Sequence, residues 1–533
     1  MSAPARLAFL ALACVAAAVF AACSRSPDGP RATLRISQRN EPSDLDPATA
    51  SLPDEFFVIR ALGEGLLVPD PAGGAPLPGA AERFDVSADG LVYTFHLRPP
   101  AEWSNGEPVT AADFVAAYRR VLTPATAAPK AELFFAVKNA RAFATGALAD
   151  FDAVGLRATD EHTLTVTLAA PNPAFPLHVA SGPWIPTHPA TVARFGRQWT
   201  QPEHYVGNGP FVLTEWRPQQ RIAVARNPRY HASDRVRLER IEFLRFDNED
   251  SEERAFRAGQ VDVTMTVPRT KLATYAAERP AELHRAPLAE TRFLAFNTTR
   301  APLDDVRVRR ALGLAIDRTR IVARVTLGGQ DPAFRFVAPP LRPPAAMPHA
   351  ASEFRFDPAE ARRLLTEAGF ANGRSFPRLE LSAWSPSQTP VLEAVQAMWR
   401  EHLGIESGIA IREAKVHLAA LRDATYDIAF ATTLLDFVDA SAALEDFRSA
   451  AGNNFPHWRS ADYDGLLLAA AGTFDPATRW QRLEEAESQL LAAAAVAPIY
   501  FNNQNWLMSE RVHGWRPDPL WTRNYLDVFV DDR

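Results

Sequence analysis

From residue 91 to 97 apolar and polar positions alternate: Leu91, Tyr93, Phe95 and Leu97 fall on one side of an extended segment, Val92, Thr94 and His96 on the other. This is the period-two pattern of a half-buried strand. Upstream, "ERFDVS" is separated from it by "ADG", whose Asp-Gly signals a turn, so the two segments are predicted to form a hairpin. "HTLTVTLAAP" repeats the alternation, with Leu164, Val166 and Leu168 on one face, and "TLRISQ" (33–38) reads as a first strand. After an Asn-Gly turn at 105–106 the spacing becomes helical. Phe114, Val115, Tyr118, Val121 and Leu122 share a stripe, with Thr110 as N-cap and Asp113 as its capping-box partner. Helices are likewise predicted over 358–370, with proline in the first turn and Gly369 at the stop, and over 390–405, before a strand in "GIAIREA". "YDIAFATTLLDFVD" (426–439) then runs from a buried strand straight into Asp436 and Asp439. Each acid is either a turn or cap residue or a charge held for a ligand. Helices alternating with strands predict α/β organisation, with strand ends facing a cleft.

The chain has 533 residues, enough for roughly two to four domains. Hydrophobic residues make up 47% and charged residues 23%, the balance of a globular protein. The net charge is -6 and arginines are interspersed with acids, as in "DDVRVRRALGLAIDRTR", which argues against nucleic acid as a partner. Forty-four prolines, many in segments such as "APPLRPPAAMP", predict stiff connections. At the amino terminus, Arg6 and the apolar run 7–20 have the form of a secretory signal, too short to span a bilayer comfortably. "FAAC" then resembles the lipobox of bacterial lipoproteins, with Phe20 where leucine is usual, and 23–30 is a polar tether. Cleavage by an ordinary signal peptidase is the alternative. The chain has two cysteines, and Cys14 lies in the leader. Export would therefore leave only Cys23, with no intrachain disulfide or cysteine metal site and one obvious use as a lipid anchor.

No G-x-S-x-G elbow, H-E-x-x-H, Walker loop or dinucleotide fingerprint occurs, so no enzyme activity, metal or cofactor is expected. "GNGPF" (207–211) has glycines without the spacing or lysine of a phosphate loop and reads as a turn. His178 and His188 are expected at the surface or in packing. The pairs Asp304-Asp305 and Glu252-Glu253 are expected at solvated helix starts.

Residues 81–122, with the hairpin, Trp103, the Asn-Gly turn and the capped helix, resemble the signature region of the oligopeptide-binding proteins of bacterial ABC importers, extracellular solute-binding protein family 5. "NEPSDLDPATAS" (40–51), 207–231, 293–318 and "WTRNY" (521–525) are similar to further family segments in the same order. The resemblance implies a type II, cluster C periplasmic-binding-protein fold: two α/β lobes around a cleft, one carrying an extra domain, with a hinge between them. After a signal peptide (1–22) and tether (23–30), lobe I would comprise 31–63, 188–289 and 506–533, its extra domain 64–187, and lobe II 290–505. The implied function is capture of oligopeptides and delivery to two permease subunits and their ATPases, by a monomeric protein tethered at Cys23. The same fold binding a nickel chelate, haem, an opine or an oligosaccharide is an alternative, as is a non-transport envelope sensor.

In the resemblance Asp436 falls where the family keeps an aspartate for a peptide's α-amino group, while Asp439 stays a cap. Backbone near Ala50, Ser51 and Leu52, and near Thr433 and Leu435, would hold the peptide main chain as an added strand. The family's Gly-Trp before the aspartate is replaced by Thr432 and Thr433, and an arginine two residues earlier by Phe430. Arg422 is the candidate to replace that charge, the alternative being a solvated surface arginine. Tyr500, Asn502, Phe134 and Trp384 complete the candidates, with core packing the other possibility for Phe134 and Trp384.

Overall fold

The computed structural model describes residues 33–70, 73–343, 354–433 and 435–531. Cys23, the proposed leader and Leu434 lie outside them.

The alternating segments pair as their patterns predict. Strands Ala81–Val86, Val92–Leu97, Thr163–Thr167 and Leu156–Ala158 form an antiparallel sheet in that order, with Phe84 opposite Phe95 and Phe95 opposite Leu164. Helix Ala111–Leu122 begins at a reciprocal cap: Thr110 Oγ1 accepts from the Asp113 N–H, and the Asp113 carboxylate accepts from the Thr110 N–H at 2.9 Å. Its Phe114, Tyr118, Val121 and Leu122 join Trp103 and Trp184 in one core.

A second sheet orders strands Thr33–Gln38, Arg240–Arg245, Arg221–Arg226 and Phe211–Arg217, the first pair parallel and the rest antiparallel. It shares a core with helix Pro53–Leu62 and with Tyr525, Val528 and Val530 near the carboxyl end. The third and largest core is assembled from residues between 289 and 500. Its six-stranded sheet runs Asp331–Pro332, Val496–Leu507, Leu283–Phe296, Ile428–Thr432, Leu379–Ala383, Ser407–Ile411. The last three strands are parallel, joined by helices Thr389–Leu403 and Ala414–Arg422, so Thr432, Ala383 and Ile411 end at one edge.

Leu283–Phe296 and Val496–Leu507 are long and antiparallel, with a register shift between Pro287 and Thr291. Beyond the shift the 503–507 end meets the second sheet's body, where the Thr264 N–H donates to the Leu507 carbonyl at 2.8 Å. The two strands thus pass together from one lobe to the other. Paired backbones resist shear but bend at a break in register, which suits a hinge.

The paired acids divide. Asp305 caps helix Val306–Leu314 as expected. Glu252, expected in solvent, is instead fully buried and accepts from the hydroxyls of Ser37 and Thr266 and the Met265 N–H. It ties helix Glu249–Arg257 to the edge of the first strand, and Glu253 beside it is buried against the Tyr275 hydroxyl at 3.0 Å.

Candidate functional site

Strand Ile428–Thr432 is buried along most of its length, and the ladder with Leu283–Phe296 continues one residue past it through a side chain. The Thr433 N–H donates to the Thr291 carbonyl at 3.2 Å, and Thr433 Oγ1 accepts from the Thr291 N–H at 2.9 Å. Leu435 then packs on the adjoining core. Asp439 caps helix Ala440–Leu444 and takes both arms of the Arg479 guanidinium, at 2.8 and 2.7 Å. Burial alone would raise the Asp439 pKa, but the Arg479 hydrogen bonds outweigh it and hold the carboxyl below its usual range. Between these fixed points Asp436 projects across to the body built on the Ala81–Val86 sheet.

There it meets Lys130, whose Nζ lies 3.0 Å from Asp436 Oδ2. Lys130 precedes the short helix Ala131–Phe134, and its carbonyl accepts from the Leu133 N–H at 3.2 Å. One residue past Asp436, the Phe437 ring stacks on His178 at 4.3 Å between centroids. An ion pair and an aromatic stack thus join the two walls at one place. Burial lowers the His178 pKa, which suits the packing role expected of it. His188, also buried, caps helix Pro189–Phe195.

Two more carboxyls sense this pair. Burial raises the Glu132 pKa, and burial together with Asp436 pushes Asp446 up to about 6 against the opposing pull of Asn453 and Lys130. An acid whose folded pKa exceeds its unfolded value favours the fold when protonated, so this contribution falls as pH rises from about 4 through about 6. Asp446→Asn removes the penalty of ionisation. Thermal melts should show a variant more stable than the native protein by about 2–4 °C above pH 7. That difference should vanish near pH 4, and a pH-independent one would count against the assignment.

The other candidates separate by position. Ser51 and Leu52 are exposed, yet their N–H groups donate to Glu55 Oε2 at 2.7 and 3.0 Å, and the Ala50 N–H donates to the Asp46 carbonyl. The Ser51 and Leu52 donors are therefore committed to the cap of helix Pro53–Leu62, and the Ala50 donor to the turn before it. Phe134 is fully buried, stacked on Trp184 at 4.1 Å, and belongs to the core of helix Ala111–Leu122 and its sheet. Arg422 is exposed and ends the helix that feeds the amino end of strand Ile428–Thr432. Five residues at about 3.3 Å each put it at the opposite edge from Asp436, so it does not replace the missing arginine. Phe430 is buried in the core.

Trp384 sits just past strand Leu379–Ala383, at the carboxyl edge beside Asp436's strand, and is 44% exposed. With its amide oxygen turned toward them, Gln388 accepts from Trp384 Nε1 and Arg292. Arg292 pairs with Glu290 at 2.6 Å, and Glu290 also accepts from Asn502 Nδ2 at 2.9 Å and Thr432 Oγ1 at 2.8 Å. Asn502 thus belongs to a polar cluster by the cleft edge, whereas Tyr500 is buried nearer the core, its pKa raised by burial. Sequence reasoning missed Lys130, Phe437, Glu290 and Arg292. The alternation of Glu290 and Arg292 with buried Thr291 and Phe293 was the only available signal.

Among the described residues no helix is long and apolar enough to cross a membrane, and no group of histidine, cysteine and carboxylate side chains has the arrangement of a metal site.

Known proteins share this architecture over nearly its whole length. The chain is 31% identical to the probable deoxycholate-binding periplasmic protein YgiS of Escherichia coli, over 92% of each sequence. It is 32% identical to the periplasmic oligopeptide-binding protein OppA of Salmonella typhimurium, over 92% of this chain and 90% of that one. The solved structure of the murein tripeptide binding protein MppA of Escherichia coli superposes with a TM-score of 0.82 at 29% identity, covering 95% of this chain and 99% of the other. Residues 75–455 match the model of bacterial extracellular solute-binding proteins, family 5 Middle, and the chain belongs to that family.

Proposed function

We propose that this protein is the solute-binding receptor of a peptide ABC transporter, capturing oligopeptides between its lobes and delivering them to the permease. The observation that carries this is the Asp436 carboxylate, set at the carboxyl edge of the lobe II sheet and already paired with an alkylammonium from the opposite wall. A group that holds the Lys130 ammonium at 3.0 Å has the geometry to hold a peptide's amino group. The oligopeptide-binding and murein-tripeptide-binding relatives support the ligand class. Trp384 and the Glu290–Asn502 cluster supply apolar and polar surface on the same edge. Side-chain pockets there would be water-filled, which suits a receptor tolerant of sequence.

The same proposal includes export and a lipid anchor at Cys23, a monomeric receptor with no chemical step of its own, and partners comprising transmembrane subunits with their ATPases. It also includes the division into lobe I (31–63, 188–289, 506–533), extra domain (64–187) and lobe II (290–505), which the three separate large cores support. A second reading, a non-peptide solute, is favoured by the deoxycholate-binding relative and by Thr432 and Thr433 in place of the family's Gly-Trp.

Native mass spectrometry of protein purified from its own cells, followed by gentle denaturation, separates the two. Short peptides of mixed sequence are expected. A single non-peptide molecule would sink the peptide reading and leave the fold assignment standing.

A further inference from the structure

We propose that Lys130 determines specificity: its ammonium is a built-in substitute for a ligand's amino group at Asp436, so the cleft accepts ligands without a free amino terminus nearly as well as those with one. This rests on the peptide-receptor reading.

The pair is placed to do this. Lys130 belongs to the extra domain and Asp436 to the opposite wall, 306 positions apart in the chain, and their side chains are 21% and 27% exposed. Neither is a freely solvated surface charge, so leaving Asp436 without a partner would oppose closure of the cleft. The His178–Phe437 stack beside the pair brings the walls together at the same point. Lys130 therefore neutralises the carboxylate whether or not a ligand brings a charge.

An arriving ammonium must displace Lys130, and the displaced group has somewhere to go. Glu132 and Asp446 lie within electrostatic range of both Lys130 and Asp436. Exchange then trades one carboxylate–ammonium pair for another, and the net gain from a ligand's amine is small. A ligand lacking the amine leaves Lys130 in place and strands no charge. In Lys130→Met the stem keeps much of its packing, but Asp436 is bare, and only an amine-bearing ligand restores neutrality.

The test is calorimetric titration of trialanine and pentaalanine, each with a free and an N-acetylated amino terminus, into the native protein, Lys130→Met and Asp436→Asn. Small-angle scattering of each ligand-free protein accompanies it. The native protein is expected to distinguish free from acetylated peptides by less than about tenfold. Lys130→Met should widen that ratio by about tenfold or more, and Asp436→Asn should abolish it. Ligand-free Lys130→Met should be more expanded than the native protein. An unchanged ratio in Lys130→Met, with both forms still binding, overturns the proposal and leaves peptide capture intact. A ratio that persists in Asp436→Asn also overturns it, because the amine would then be read elsewhere. If the native protein binds none of the four peptides, the peptide reading fails. Scattering then decides for Lys130: expansion of the variant supports the substitute ammonium, and an unchanged radius of gyration overturns it.

Discussion

Glu487→Ala is expected to lower the unfolding free energy by about 3–5 kcal/mol, seen as a lower urea midpoint with little change in slope. Glu487 lies on helix Pro476–Ala492 with none of its surface exposed. Its Oε1 accepts from the N–H groups of Phe336 and Val337 at 2.7 and 2.8 Å, and its Oε2 from Arg335 at 2.9 and 2.6 Å. Alanine would leave two backbone donors and a largely buried guanidinium without their acceptor, and a buried donor left unmade costs more than its bond contributes. The effect reaches the site through packing, because the Phe336 carbonyl accepts from the Thr291 hydroxyl, and Thr291 is the residue whose backbone brackets Thr433. Glu487→Gln keeps one acceptor oxygen for the backbone and should cost about half as much. A midpoint unmoved in the alanine variant would mean that helix Pro476–Ala492 is held by its apolar face alone.

Local structure was legible wherever a short-range rule sufficed. The Thr110–Asp113 box, the period-two strands and the parallel segment ending at Thr432 all follow from side-chain direction and spacing within a few residues. Glu252 failed because the partners that make its burial tolerable are far off in the chain: Ser37 lies 215 positions away. A charge count along a helix assumes that carboxylates face water, and it contains no term for an acceptor that several distant donors require.

The proposed site was legible at one wall only. The acid at the end of a buried strand, and its separation in role from Asp439, could be posed from sequence. The opposite wall could not, because a single lysine in "TAAPKAEL" carries no periodicity or motif. The hydrogen bonds of the Ser51 and Leu52 N–H groups were not foreseen, because a Glu55 side chain three or four positions on claims both. That signal was present: Glu55 stands three residues after Leu52 at a helix start opened by Pro53, and an acid at that position bonds back to the cap.

Arg479→Met is expected to destabilise the protein by about 2–4 kcal/mol at neutral pH and to weaken peptide binding even where the protein stays folded. Arg479 holds both oxygens of Asp439, and the two side chains are 15% and 14% exposed. Asp439 fixes the far end of the segment that carries Asp436 and Phe437, as Thr433 fixes the near end. With the guanidinium gone, a largely buried carboxylate keeps only its bonds from Ser441. The pH dependence separates this from a loss of packing. In the native protein the Asp439 pKa lies below its unfolded value, so its contribution is complete above about pH 4 and is lost as pH falls through the folded value. In the variant burial is opposed only by the Ser441 bonds and the pKa rises, so protonation relieves the penalty and the gap between the two proteins should narrow as pH falls from 7 towards 4. Arg479→Met combined with Asp439→Asn removes the stranded charge and should recover part of the loss at pH 7. A double variant no better than the single, with a deficit constant across pH, would show that the arginine acts through its aliphatic stem. Asp436 would then owe its position to Thr433 rather than to the Asp439 anchor.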